Sequence, residues 1–232
     1  MPADLRTRAI VLRRTNYGES DRILNLLTPE GKIAVIARGV RKEKSRLAGG
    51  IELFSIADVV VRYGRQAQGR SQAGSQPLGT LTSAKMLNFY SNILSDMSIL
   101  ELASALLKKL DRAAEQTDNP AHFDLLSQSL AGLDRGDALE LVSAWFGLNF
   151  ARASGEEINL LCDVAGQPLS PDVSYFWDPL ESALRSDPAG NIRAPEIKLA
   201  RFLLSNPLRL AKNIENVAAV LPPLLPIAKS FE

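Results

Sequence analysis

The sequence predicts an α+β protein, with an N-terminal five-stranded barrel followed by an all-helical C-terminal domain. Three observations predict it. The first 82 residues break into short apolar runs separated by turn residues, with no long helical pattern between them. From residue 83 the apolar period lengthens to that of a helix. The charge changes sign at the same place. Residues 1–82 hold 14 Lys and Arg against 7 Asp and Glu, whereas residues 83–232 hold 13 against 19. The expected domains are therefore 1–82, basic, and 83–232, acidic. A charge split of this kind points to an anionic partner for the basic half.

The strands follow in order. Residues 6–15 are rich in β-branched and aliphatic side chains and break at Asn16-Tyr17-Gly18. Residues 21–28 form a second strand. Thr28-Pro29-Glu30-Gly31 suits a type I turn, with proline second and glycine fourth. In a third strand, 32–40, Ile33, Val35 and Ala37 face one side and Ala34, Ile36 and Arg38 the other. A polar, basic loop covers 41–50, a long fourth strand 51–63, and a short fifth strand 78–82. Residues 64–77 between the last two are a low-complexity run of Gly, Gln, Ser and Ala. Five strands in this length fit an OB-fold, and an SH3-like barrel fits nearly as well.

The helices come next. Over 96–116, Ile99, Leu102, Ala103, Leu106, Leu107 and Leu110 form one apolar face. Asn119-Pro120 reads as an N-cap followed by proline at the first helical position. Asp137 to Glu140 resembles a capping box ahead of Val142, Trp145, Phe146 and Phe150. Pro195 opens a helix that must yield at Asn206-Pro207, and a last helix is expected over 208–221. Residues 159–192 have no clear period and read as an irregular segment packed on the helices, with Phe176 and Trp177 as anchors.

Catalytic signatures are missing. The chain has no phosphate loop, no dinucleotide-binding glycine pattern and no nucleophile elbow. The single histidine, His122, reads as a surface or partly packed residue, and the single cysteine, Cys162, as a small buried hydrophobe. Neither a disulfide nor a four-ligand metal site can be built from them. No enzyme activity, cofactor or metal is expected. No signal peptide is visible, and the weakly polar stretch 217–228 carries three prolines and is too short to span a bilayer. The expected location is the cytoplasm.

The positive signal is a basic cluster. Arg38, Arg41, Lys42, Lys44 and Arg46 stand close together with Glu43 the only acid between them, and Arg65 and Arg70 follow in the 64–77 loop. Such a run attracts phosphates and releases condensed counterions, and arginine adds bidentate geometry. Tyr17, Phe54 and Tyr63 are the only aromatics before residue 83, so binding should be dominated by phosphate contacts and tolerant of sequence. A protein-interaction scaffold whose barrel binds an acidic partner fits the same charge pattern and stays open.

Three stretches resemble the RecO family of bacterial recombination mediators: AIVLRRTNYGESDRILNLLTPEGK (9–32), ARGVRKEKSRLAG (37–49) and LGTLTSAKML (78–87). The resemblance is strong over 5–63 and beyond that rests on the order of elements. It implies an OB-fold followed by a helical domain. It also implies binding of single- and double-stranded DNA, annealing of complementary strands, and loading of RecA onto DNA coated by single-strand binding protein (SSB), together with RecR and in many bacteria RecF. Carried over by position, Lys32, Arg38, Arg41, Lys42, Lys44 and Arg46 are the first candidates for DNA contact, and Arg13 and Arg14 the second. An apolar pocket for the SSB tail is implied in the helical half, with Arg112, Arg135, Arg152, Lys198 and Arg201 as possible rim residues. Many relatives hold zinc with four cysteines in the irregular segment; with Cys162 alone, that site is not carried over.

Overall fold

The computed structural model describes residues 4–64, 77–115, 117, 119–156 and 158–230. They fall into two compact units, 1–130 and 131–232.

In the first unit, β1 (Asp4–Tyr17), β2 (Asp21–Thr28), β3 (Gly31–Ala37), β4 (Ser55–Arg62) and β5 (Gly79–Phe89) follow one another. They close into a barrel in the order β1-β2-β3-β5-β4, with β4 returning to β1. Only β3 and β5 pair in parallel, through Val35–Gly79 and Ile36–Thr80. Closure removes the unpaired edges that a five-stranded sheet would otherwise present. β1 serves both halves of the barrel: residues 4–10 pair with β4 and 10–17 with β2. The register shift between Val11 and Arg13 bends the strand where it changes partner.

Alternation decides the inside. Ala9, Val11, Leu24, Leu26, Val35, Ala37, Val59 and Val61 fill the barrel, and Ile33 packs against them. Ile33, Val35 and Ala37 therefore share one face, as expected. The Thr28–Gly31 turn is closed by the Thr28 hydroxyl, which donates to Gly31 O at 2.8 Å and accepts from Glu30 N at 3.2 Å.

The fifth strand is longer than its residues announce. The expected boundary after 82 falls inside β5, which runs on to Phe89. Residues 83–89 are mostly helix formers, and their pairing with β4 overrides that preference. Next comes α1 (Met97–Ala113), capped by Asp96, whose Oδ1 accepts from Ser98 N and Ile99 N. α2 (Ala121–Asp134) follows, and Asn119 Oδ1 accepts from Ala121 N at 2.9 Å, the cap read from the sequence. His122 is buried in α2, not at the surface, and burial holds its imidazole below its ordinary pKa.

In the second unit α3 (Leu139–Ala153) is buried on almost every side. The expected capping box does not form: the N-cap is Ala138, and Asp137 pairs instead with Arg135. α4 (Ala194–Ser205) ends before Asn206-Pro207, whose Asn206 carbonyl accepts from Trp145 Nε1 at 2.9 Å. The single last helix expected over 208–221 is two short ones, α5 (Leu208–Ala211) and α6 (Val217–Val220). They are separated by Asn216 at φ 58°, a left-handed turn. α7 (Leu225–Lys229) lies directly on α3, where a Cβ at Gly147 would stand 2.5 Å from Ala228 O.

The C-terminal part is not all helical. The segment expected to be irregular contains a three-stranded sheet of β6 (Asn159–Asp163), β7 (Tyr175–Asp178) and β8 (Ala183–Ser186), ordered β6-β8-β7. Among the described residues no helix is long and apolar enough to cross a membrane.

Candidate nucleic-acid interface

The chain leaves β3 through Gly39, at φ 62°, a backbone conformation that favours glycine. Gly39 N donates to Asp21 Oδ1 at 2.7 Å. Arg41 N donates to Ser20 O at 2.9 Å, and Arg41 Nη1 to Gly18 O at 3.3 Å. The basic segment is thus fastened onto the β1–β2 turn. At its other end a short 3₁₀ turn, Ala48–Gly50, presses on β5: a Cβ at Gly50 would stand 2.5 Å from Ala84 O. Asp21 organises the near end. Its carboxyl is held below the usual carboxylate range, first by the Gly39 hydrogen bond, with the Ser20 hydroxyl and the charges of Arg38 and Lys42 adding and desolvation opposing.

Between these anchors Arg38, Arg41, Lys42, Lys44 and Arg46 are all exposed. None of them forms an ion pair with a carboxylate among the described residues. Five cations on one fastened stretch, with Glu43 the one acid among them, create a local positive field with no internal neutralisation beyond Asp21 and Glu43.

The other candidates behave differently. The Lys32 side chain is only 8 % exposed, and its Nζ lies 2.6 Å from Asp111 Oδ1 and 3.0 Å from Glu115 Oε1, both at the end of α1. Arg13 Nε is 3.2 Å from the same Asp111, and Asn25 Nδ2 donates to Asp111 at 2.9 Å. Lys32 therefore ties α1 to the barrel and does not present its charge to a ligand. Arg13 shares that clasp but keeps an exposed outer side. Arg14 pairs with Glu52 at 2.7 Å. Arg65 and Arg70 lie outside the described residues. The role of Asp21 has a sequence signal, an acid three residues after the turn glycine, but its partner lies 18 residues away.

Comparison with known proteins decides the ancestry of this arrangement. Residues 1–90 match the family model described as recombination protein O, N terminal, and residues 94–231 the one described as recombination protein O, C terminal. The chain belongs to the RecO family. It is 34% identical over 178 residues to the DNA repair protein RecO of Dehalococcoides mccartyi, covering 75% of this chain and 66% of the relative. With that of a Roseiflexus species it shares 32% identity over 214 residues, covering 89% and 72%. With that of an Anaeromyxobacter species it shares 30% over 233 residues, covering 96% and 86%. The chain thus spans about two thirds of the length of the Dehalococcoides relative it matches.

Of the rim residues that the RecO resemblance raises, two border cavities in the second unit. Lys198 and Glu215 edge a largely apolar cavity of about 320 Å³ walled by Leu199, Phe202, Val217 and Val220. Lys198 and Arg201 also line a neighbouring one of about 290 Å³, with Leu169 and Ile197. Arg135 is taken up by Asp137. Arg152 donates to Leu204 O at 2.6 Å and Asn149 Oδ1 at 2.7 Å, so it caps α4. Arg112 is exposed on α1.

The RecO zinc region does not fit a four-cysteine site here. Cys162 is the only cysteine, and the described residues contain no group of three or more His, Cys, Asp or Glu placed to hold a metal. Hydrogen bonds and packing hold the segment instead. Asp163 Oδ1 accepts from Ala165 N and Gln167 N, both at 2.9 Å. Tyr175, not Phe176, is the main anchor: it is buried, its hydroxyl accepts from Ser170 N at 2.9 Å, and Gly190 packs on its backbone. Phe176 is exposed, Trp177 is half-buried, and Cys162 is half-buried rather than buried.

Proposed function

We propose that this chain is a non-enzymatic recombination mediator. Its barrel, of the OB type, binds single- and double-stranded DNA through the basic segment and anneals complementary strands. With RecR and SSB it helps load the recombinase. The observation that carries this reading is the row of five exposed cations, Arg38 to Arg46, free of ion pairs among the described residues. Phosphates of two strands neutralised at one site repel each other less, so complementary bases can pair without bond making or nucleotide hydrolysis. The strand order β1-β2-β3-β5-β4 and the curatorial name of the relatives, DNA repair protein RecO, support the same reading. The cavity lined by Lys198 and Arg201 supports an SSB-tail site, because an acidic segment with an apolar tip meets two cations beside the apolar Leu169 and Ile197 there.

A salt titration tests it. The logarithm of DNA affinity should fall linearly with the logarithm of salt, with a slope of about −3.5 for single strands if all five cations meet phosphates. A flat titration, with equal or tighter binding of an acidic peptide, would favour the scaffold reading.

A further inference from the structure

Tyr17 is the only exposed aromatic side chain among the described residues of the first unit, at 55%. Phe54, Tyr90 and Phe123 are buried there, and Tyr63 and Phe89 half-buried. Tyr17 stands opposite Asp21 in the β1–β2 ladder. The next row on the same face is Thr15, Ile23 and Ile36, since Thr15 pairs with Ile23 and Ile23 with Ile36. Leu24, Leu26, Val35 and Ala37 turn into the barrel, so this row faces outward. Ile36 is buried, so the ring borders Thr15 and the half-buried Ile23 on the outer face.

A cation reaches the turn that follows the ring. Arg41 is fastened to the carbonyl of Gly18, the residue after Tyr17, and Asp21 receives Gly39 N. Further along the same face comes the row of Arg13 and Asn25, both bound to Asp111 of α1. That clasp, packed against α1 with its charges matched, closes the open stretch. From Tyr17 to Arg13 the stretch measures about 13 Å at the rise of a strand.

We infer that Tyr17 is a base-stacking residue that makes this site favour single-stranded over double-stranded DNA. An unpaired base rests on the ring and the edge of Ile23 while Arg41 and Lys42 hold the neighbouring phosphates. A duplex keeps its bases stacked on one another and offers this surface only its backbone. The inference rests on the reading of the basic segment as DNA-binding.

The experiment measures binding of the full chain to three ligands of equal length: a thymidine strand, a strand of abasic sites and a duplex. Tyr17→Ala should weaken binding to the thymidine strand about tenfold. Its salt slope and its binding to the abasic strand and the duplex should match the wild type, and Tyr17→Phe should restore the lost affinity. Wild-type affinity of Tyr17→Ala for the thymidine strand overturns the inference. So does an equal loss on all three ligands, which would mean that Tyr17 only shapes the turn. Wild-type protein that binds none of the three overturns the DNA reading itself, and this inference with it.

Discussion

Two groups of cations on the same barrel meet opposite fates. Lys32 and Arg13 lie on the outer face of β1–β3 and are matched to Asp111 of α1 and to Glu115 just after it. Arg38, Arg41, Lys42, Lys44 and Arg46 follow β3 and meet no carboxylate in an ion pair among the described residues. The difference teaches that a basic domain is not a uniformly basic surface. Charge that faces a helix of the same unit becomes part of the packing, and only the remainder is available to a ligand. A lysine only 8 % exposed beside two carboxylates holds an element in place; an exposed one between glycine anchors does not.

Asp111→Ala should produce the largest effect. It leaves Lys32 largely buried with Glu115 as its one carboxylate, beside the backbone carbonyl of residue 111, and deprives Arg13 and Asn25 of their shared acceptor. The cost should be about 3 kcal/mol of folding stability, read from a denaturant midpoint, with DNA affinity per folded molecule unchanged. Tighter DNA binding by this variant would show that Asp111 screens a site instead of packing a helix. The triple variant Arg38→Ala, Arg41→Ala, Lys42→Ala should do the reverse. DNA affinity should fall about a hundredfold and the salt slope by about two to three, with the melting temperature kept. Unchanged affinity would move the interface elsewhere.

The smallest effect concerns Asp21, which borders the free group. Its folded carboxyl titrates below the unfolded value of about 3.9. The stability it contributes is therefore complete above that value and is lost as pH falls through the depressed folded value. Melting temperatures of wild type and Asp21→Asn should differ at pH 5 and converge as the pH falls well below the ordinary carboxylate range. A gap that persists in acid would show that the charge of Asp21 is not what holds Gly39.

The sequence is most legible where local pattern and tertiary demand agree. β2 is readable to the residue because alternation, a turn glycine before it and Thr28-Pro29 after it all coincide. β5 is half legible, since its second part is composed of helix formers held as strand by β4. β6–β8 are invisible to periodicity, being four or five residues each with an incomplete apolar face. At the candidate site the cluster from Arg38 to Arg46 is contiguous and readable as such. The fate of Lys32 is not, because Asp111 and Glu115 lie 79 and 83 residues further along. Only the fold brings them to 3.0 Å or less.

The two glycines that bracket the cationic stretch have a kinetic consequence. Gly39 gives its N–H to Asp21, and Gly50 admits no side chain against Ala84. Any side chain at position 50 would wedge the end of the stretch away from the barrel. With both ends pinned, its chain has little freedom left to surrender when a ligand settles, so less of the attraction is offset by ordering. The benefit of such rigidity shows in how long a complex persists rather than in how often partners collide.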